Sequence, residues 1–111
     1  MAETRAAIRY AKAALSLATD KQVAEAINSD MVLIYKTIQD NPELDEAIKN
    51  AVVKSEDKKA ILSKVFPNVN AMVQELFKVL DANKRLDLIG AVANKYTELF
   101  DIQNGKESAT V

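Results

Sequence analysis

Four carboxylates form the densest group of chemically active side chains in the sequence, namely Asp40, Glu43, Asp45 and Glu46. Clustered carboxylates can bind a metal ion, but a calcium loop needs spaced oxygen ligands and a glycine at its sharp turn. Here Pro42 instead stands where a helix begins, and acidic residues in a first turn stabilise the positive end of the helix dipole. We therefore interpret these carboxylates as helix-stabilising and expect neither a metal ion nor a catalytic residue among them.

Other reactive groups are scarce. The sequence has no histidine and no cysteine, which removes the commonest acid–base groups, thiolate nucleophiles and zinc ligands. Its two glycines are far apart, so no phosphate-binding loop is present, and no serine stands in a nucleophile motif. We expect no cofactor. A small helical enzyme that uses carboxylates stays as an alternative, which strongly shifted carboxylate pKa values in a concave pocket would favour.

The charge distribution argues against a polyanionic partner. Fifteen basic and sixteen acidic residues are mixed along the chain and give a net charge of −1. With no basic run and few aromatic side chains to stack on bases, nucleic-acid binding is not expected. The longest apolar run, residues 31–35, is far shorter than the roughly 18 residues of a membrane span. We also see no signal peptide, and expect a monomer that works where it is made, without inserting into a membrane.

The spacing of apolar residues predicts an all-α fold, a compact six-helix bundle. No alternating strand pattern of useful length occurs, and only two glycines and two prolines interrupt the chain. The first helix is predicted over residues 5–18, the fifth over about 69–82 and the sixth over about 85–102, with Gly105 as its stop. Asp20, Asn41 and Ser55 are predicted to cap the second, third and fourth helices.

Apolar stripes predict which side chains of these helices face the core. The stripes are Val23, Ile27, Met31, Ile34 and Ile38 in the second helix; Leu44 and Ile48 in the third; Ile61, Leu62 and Val65 in the fourth; and Leu88, Ile89, Val92, Tyr96, Leu99 and Phe100 in the sixth.

Two helices carry more apolar surface than one core requires. In the first helix only a narrow strip, Arg5, Arg9, Lys12 and Ser16, is polar, which leaves an apolar arc of roughly 200°. The apolar arc of the fifth helix covers about 160°, whereas a surface helix usually needs about 100°. Two interpretations stay open. The alanines of the first helix allow close packing inside the domain, or the extra surface binds a partner helix.

Four sequence motifs, in order, resemble the delta subunit of bacterial F-type ATP synthases, the counterpart of the mitochondrial oligomycin-sensitivity-conferring protein. They are RYAKAALSLA at 9–18, NPEL at 41–44, KSEDKKAILSKVF at 54–66 and ELFKVLDANKRLDLIGAVANKYTELFD at 75–101. Each motif is weak alone, but together they cover nearly the whole chain. Lys84 is a departure, because many relatives have glycine there, which puts the turn before the sixth helix in question.

The resemblance implies a non-catalytic subunit of the peripheral stalk that ties the catalytic head to the stalk. In the family, a groove between the first and fifth helices receives the N-terminal amphipathic helix of an alpha subunit, and these are the helices with wide apolar arcs. The residues that match the groove motifs best are Tyr10, Ala14 and Val79. Their expected neighbours are Ala6, Ala13, Met72, Leu76 and Asn83. The alternative is a generic helical adaptor that binds another amphipathic helix.

The resemblance also implies a domain division and a location. Residues 1–105 would form the six-helix N-terminal domain, and residues 106–111 would start the linker to a C-terminal domain that binds the b subunits of the stalk. The expected location is the cytoplasmic face of the bacterial inner membrane, as a peripheral part of the ATP synthase.

Overall fold

The structure is a computed structural model that describes residues 2–105, with side chains from residue 5. Six α-helices make up the fold of these residues. They are α1 (Ala2–Asp20), α2 (Ala24–Asp40), α3 (Pro42–Lys49), α4 (Ser55–Val65), α5 (Ala71–Ala82) and α6 (Ile89–Gln103), and a 3₁₀ turn (Leu86–Leu88) precedes α6. No strand occurs within residues 2–105. The predicted all-α six-helix bundle is confirmed, while the predicted linker, 106–111, lies outside the described residues.

The first connection differs from the prediction that Asp20 caps the second helix. Asp20 is the last residue of α1, and α2 begins only at Ala24. Gln22 adopts a left-handed φ of 60°. The Val23 N–H donates to the Ala18 carbonyl at 2.9 Å, and the Gln22 N–H donates to the Thr19 carbonyl at 3.0 Å. This is a Schellman motif, in which N–H groups after the helix donate to carbonyls of its last turn. The motif ends α1, so Asp20 does not cap α2.

Of the other two predicted caps, Asn41 does occupy the N-cap position of α3, before Pro42, but without a side-chain capping bond, whereas Ser55 is not a cap. The side chain of Asn41 accepts no bond from α3, and its Nδ2 instead donates to the Thr37 carbonyl at 2.8 Å, at the end of α2. Ser55 is the first residue of α4, and the extended Lys54 precedes it without a side-chain cap. At α5, in contrast, Asn70 Oδ1 accepts from the Met72 N–H at 2.9 Å, so this helix begins at Ala71 rather than near residue 69.

The turn before α6, which Lys84 put in question, forms with this lysine in place. Lys84 takes a left-handed φ of 58°. The Arg85 N–H donates to the Leu80 carbonyl at 2.7 Å, and the Lys84 N–H donates to the Asp81 carbonyl at 3.0 Å, a second Schellman motif. The chain then makes the 3₁₀ turn, so α6 begins at Ile89 rather than near residue 85. Gly105, with a φ of 70°, follows the end of α6 as predicted.

The core lies around α6, which packs along both α1 and α2. Most predicted stripes are buried: Ile27, Met31, Ile34, Ile38, Ile48, Leu62, Leu88, Ile89, Val92, Tyr96 and Phe100. The Tyr96 hydroxyl donates to the Ala24 carbonyl at 2.8 Å and so ties α6 to the start of α2. Four others are partly buried, namely Val23, Leu44, Ile61 and Leu99, and Val65 alone of the predicted core residues is exposed, at 41%. It lies in the last turn of α4, where the neighbouring Phe66 is buried instead.

The small side chains of α1 decide how this helix is placed. Ala7, Ala11 and Ala18 are fully buried, which lets α1 pack closely along α6. Alanine has only a Cβ, so two helix backbones can come near each other at these positions. With this face used by α6, the adjacent flank of α1 is turned toward α5.

Candidate helix-binding groove

An open, mainly apolar cleft of about 680 Å³ lies between α1 and α5. Its lining residues are Tyr10, Ala13, Ala14, Leu17, Lys21, Val23, Asn70, Ala71, Met72, Glu75, Leu76 and Val79. The two helices make little backbone contact with each other, since α1 packs mainly on α6 and α5 packs mainly on α4. We call this cleft, with these residues, the α1/α5 groove.

The two walls of the groove run in opposite directions. At one end, which we call the upper end, Asn83 Nδ2, just after α5, donates to the Tyr10 hydroxyl oxygen at 3.0 Å. At the other end, which we call the lower end, the lining residues are Lys21 and Val23, after α1, and Asn70, at the start of α5. From Tyr10 to Lys21 the wall is about 16 Å long at 1.5 Å per residue. The groove is therefore about three helical turns long.

Helical periodicity places the lining side chains in two facing rows. Tyr10, Ala13, Ala14 and Leu17 follow the spacing i, i+3, i+4, i+7 on α1. Met72, Glu75, Leu76 and Val79 follow the same spacing on α5. Two of these eight side chains are large, apolar and well exposed: Leu17 is 47% exposed and Val79 is 46% exposed. The rows therefore present apolar surface that the domain itself leaves uncovered.

Polar bonds hold the start of α5 in place at the lower end of the groove. Asp30 Oδ2, on α2, accepts from the Asn70 N–H at 2.7 Å. Asn70 Oδ1 in turn caps α5 through the Met72 N–H. On the far side of α5, Lys59 Nζ on α4 lies 3.8 Å from Asp81 Oδ2. The wall that α5 forms is thus fastened to α2 and α4, and the Asn83–Tyr10 hydrogen bond joins its upper end to α1.

Six of the eight residues predicted from the sequence line this groove, namely Tyr10, Ala13, Ala14, Met72, Leu76 and Val79. Asn83 lies at its upper end through its bond to Tyr10. Ala6 is half-buried against the core and is not among the lining residues.

The sequence prediction missed six lining residues: Leu17, Lys21, Val23, Asn70, Ala71 and Glu75. A signal existed for Leu17, because it falls on the same helical flank as Tyr10 and Ala13. Glu75, three residues before Lys78, also lies one turn from Met72 and from Val79. Because it is charged, it was not counted with the apolar side chains of this flank. Lys21 and Asn70 lie in the connections, where helical periodicity gives no signal, and Val23 was predicted to face the core as the first member of the stripe of the second helix.

The acidic group of Asp40, Glu43, Asp45 and Glu46 lies elsewhere, at the end of α2 and the start of α3. Asp45 Oδ1 is 3.3 Å from Lys49 Nζ, one turn later on the same helix. Among the described residues, no group of three or more acidic side chains is arranged to hold a metal ion. Away from the groove, burial raises the pKa of the Tyr96 hydroxyl to about 12.

Comparison with known proteins gives a consistent relationship along the whole chain. The family described as ATP synthase delta (OSCP) subunit matches residues 6–111. ATP synthase subunit delta of Flavobacterium psychrophilum is 47% identical over 111 residues, which are 100% of this chain and 63% of that protein. The subunit of Flavobacterium johnsoniae is 49% identical over the same shares. That of Bacillus cytotoxicus is 31% identical over 93% of this chain and 57% of its own length. The chain thus spans about three fifths of the length of these curated relatives.

Proposed function

The chain belongs to the ATP synthase delta (OSCP) subunit family, and on that premise we propose that it is the domain that attaches the peripheral stalk to the catalytic head of a rotary F-type ATP synthase. Its partner in this role is the N-terminal amphipathic helix of an alpha subunit, bound in the α1/α5 groove. The domain itself performs no catalysis. It holds the head static against the torque of the rotor during proton-coupled ATP synthesis.

One observation carries this proposal: two facing apolar rows that leave room for a third helix between them. Leu17 and Val79, on opposite walls, are each nearly half exposed. An amphipathic helix that lays its apolar face into such a groove removes both side chains from water. The groove is about three turns long, which matches the length over which a short helix can present one continuous apolar stripe.

The mechanism is mechanical, and it depends on how firmly each wall is held. α1 packs along α6 with three of its alanines fully buried, and α5 is tied to α2 by the Asp30–Asn70 hydrogen bond. Neither wall can shift without breaking contacts in the core. A helix seated between them would therefore transmit a sideways load to the whole domain rather than to one flexible loop.

The remaining contacts of the stalk belong to the part of the family's length that this chain does not cover. We assign the binding of the b subunits to the C-terminal domain of the family, with residues 1–105 as the N-terminal domain. The location proposed is the cytoplasmic face of the bacterial inner membrane, where the domain is a peripheral part of the complex. Within residues 2–105, none of the helices has the length and hydropathy to cross a bilayer.

Calorimetric titration with a synthetic peptide of the alpha subunit's N-terminal helix tests the proposal. We expect one-to-one binding with a negative heat-capacity change, because apolar surface is buried. Tyr10→Ala should weaken binding by about ten-fold, since it removes the aromatic ring from the groove wall. Tyr35→Ala is the matched control, because Tyr35 is half-buried and lines a different cleft, between α2, α3 and α6.

The result that contradicts the proposal is equally specific. If the peptide does not bind, or if Tyr35→Ala weakens binding as much as Tyr10→Ala does, the α1/α5 groove is not the binding site for the alpha helix. Binding of an unrelated amphipathic helix in place of the alpha peptide would favour the adaptor alternative.

A further inference from the structure

The α1/α5 groove has an uneven distribution of charge. Among the described residues, Lys21 is the only cation that lines it and Glu75 the only carboxylate. Lys21 lies at the lower end, beside Asn70, whereas the upper end is formed by Tyr10 and Val79. The cation thus lies at the lower end and Glu75 lies midway along the α5 wall, while the upper end has no charged lining residue among those described.

The carboxylate of the groove already has a partner, whereas the amine has no ion-pair partner among the residues whose side chains are described. Glu75 Oε2 lies 3.3 Å from Lys78 Nζ on the same helix, which makes the α5 wall locally neutral. Within residues 5–105, no carboxylate lies within ion-pair distance of Lys21. The neighbouring Asp20 lines another cleft, between α1 and α6, and so faces away from the groove.

From this arrangement we propose that the helix bound in the groove presents a carboxylate to Lys21 and a purely apolar stripe to the upper end. The proposal rests on the proposed function and adds the chemistry of the partner to it. A bound helix takes Lys21 partly out of water, and this desolvation is unfavourable unless the amine gains an oppositely charged partner. A carboxylate at that position provides the partner, and a lysine there is repelled.

The position of the charge sets the register of the bound helix. An apolar stripe alone can slide by one turn along a groove whose walls are uniformly apolar. A carboxylate fixed opposite Lys21 disfavours such a shift, because one turn moves it about 5.4 Å toward the neutral upper end. The ion pair therefore contributes more to placement and specificity than to affinity.

The test measures binding of the alpha N-terminal peptide to the 111-residue chain and to Lys21→Glu. We expect about five-fold weaker binding by Lys21→Glu, because a favourable, partly exposed ion pair is replaced by a repulsion. The matched control is Lys12→Glu, since Lys12 is exposed on α1, which Lys21 directly follows, but lines the cleft between α1 and α6. Its affinity should stay within about two-fold of wild type, as screening weakens distant surface charges.

Charge exchange gives the decisive measurement. Each acidic residue of the peptide is replaced by lysine in turn, and one of these peptides should bind Lys21→Glu more tightly than it binds the wild-type chain. If no such peptide exists, or if Lys21→Glu binds the original peptide with wild-type affinity, the charge proposal is overturned and groove binding stands. If the wild-type chain binds no peptide at all, the proposed function and this inference both fail.

Discussion

Val73 and Val79 form a matched pair on α5 that separates stability from binding. The two residues have the same side chain and lie on the same helix, but Val73 is 1% exposed and Val79 is 46% exposed. Val73 packs in the core, and Val79 lines the α1/α5 groove. Replacing each by alanine removes the same two methyl groups from two different environments.

For Val73→Ala, the expected loss falls on folding. At about 0.8 kcal/mol per buried carbon, two methyl groups contribute about 1.6 kcal/mol, and the cavity left behind adds to this cost. The higher helix propensity of alanine returns roughly 0.5 kcal/mol. We therefore expect the free energy of unfolding to fall by about 2 kcal/mol, while the affinity of the folded domain for the helix stays close to that of wild type.

For Val79→Ala, the expected loss falls on binding. Nearly half of this side chain is still in contact with water, so the loss on folding is about 0.8 kcal/mol, and the gain in helix propensity offsets most of it. The half that is exposed becomes buried when a helix binds. Its loss costs about 0.7 kcal/mol of binding free energy, which is an affinity about three-fold weaker.

Urea unfolding followed by circular dichroism, together with calorimetric titration of the alpha N-terminal peptide, measures both quantities for both variants. The expected result is a crossed pattern, with stability lost in Val73→Ala and affinity lost in Val79→Ala. Wild-type affinity in Val79→Ala would mean that the exposed half of this side chain is not covered by the partner. The assignment of the α5 wall would then be wrong, even if the peptide binds elsewhere on the domain.

Two further predictions concern the frame that holds the groove. Tyr96→Phe should lower the free energy of unfolding by about 1 kcal/mol, because the hydrogen bond to the Ala24 carbonyl is lost. Burial raises the pKa of the Tyr96 hydroxyl to about 12 in the folded state, whereas in the unfolded state this hydroxyl loses its proton near pH 10. In urea titrations at increasing pH, the free energy of unfolding of the wild type should therefore fall more steeply between pH 10 and 12 than that of Tyr96→Phe. Lys84→Gly should raise the free energy of unfolding by up to about 1 kcal/mol, because Lys84 has a left-handed φ of 58°. Its control, Lys78→Gly inside α5, should lower the free energy of unfolding by about 1 kcal/mol in the same assay.

Helix number and core positions could be predicted from the sequence because both depend on local spacing. The stripe of α2, for example, repeats every three or four residues, and its members from Ile27 onward are all buried. Helix ends were harder to predict. Gln22 and Lys84 close their helices in a left-handed conformation that glycine usually adopts, and nothing in their side chains marks the position.

The groove could be predicted only in part, for a related reason. Periodicity identifies the wide apolar arcs of the first and fifth helices, and the resemblance to the family then pointed to Tyr10, Ala14 and Val79 within them. Lys21, Val23 and Asn70 reach the groove only because a Schellman motif and an asparagine cap bring two chain connections together. Such positions depend on tertiary structure, and the charge at the lower end of the groove depends on them as well.

The depth of the groove follows from the size of the residues on the α1 wall. Ala13 and Ala14 lie in the middle of that wall and carry only a Cβ each, so the space between α1 and α5 stays empty there. Leucine at these positions would reach across toward Leu76 and let the domain cover its own apolar surface. Alanines thus act on two sides of α1: Ala7, Ala11 and Ala18 are buried where the helix packs closely, and Ala13 and Ala14 leave the adjacent flank open. Both interpretations of the wide apolar arc of the first helix are thus compatible, since each applies to a different side of the same helix.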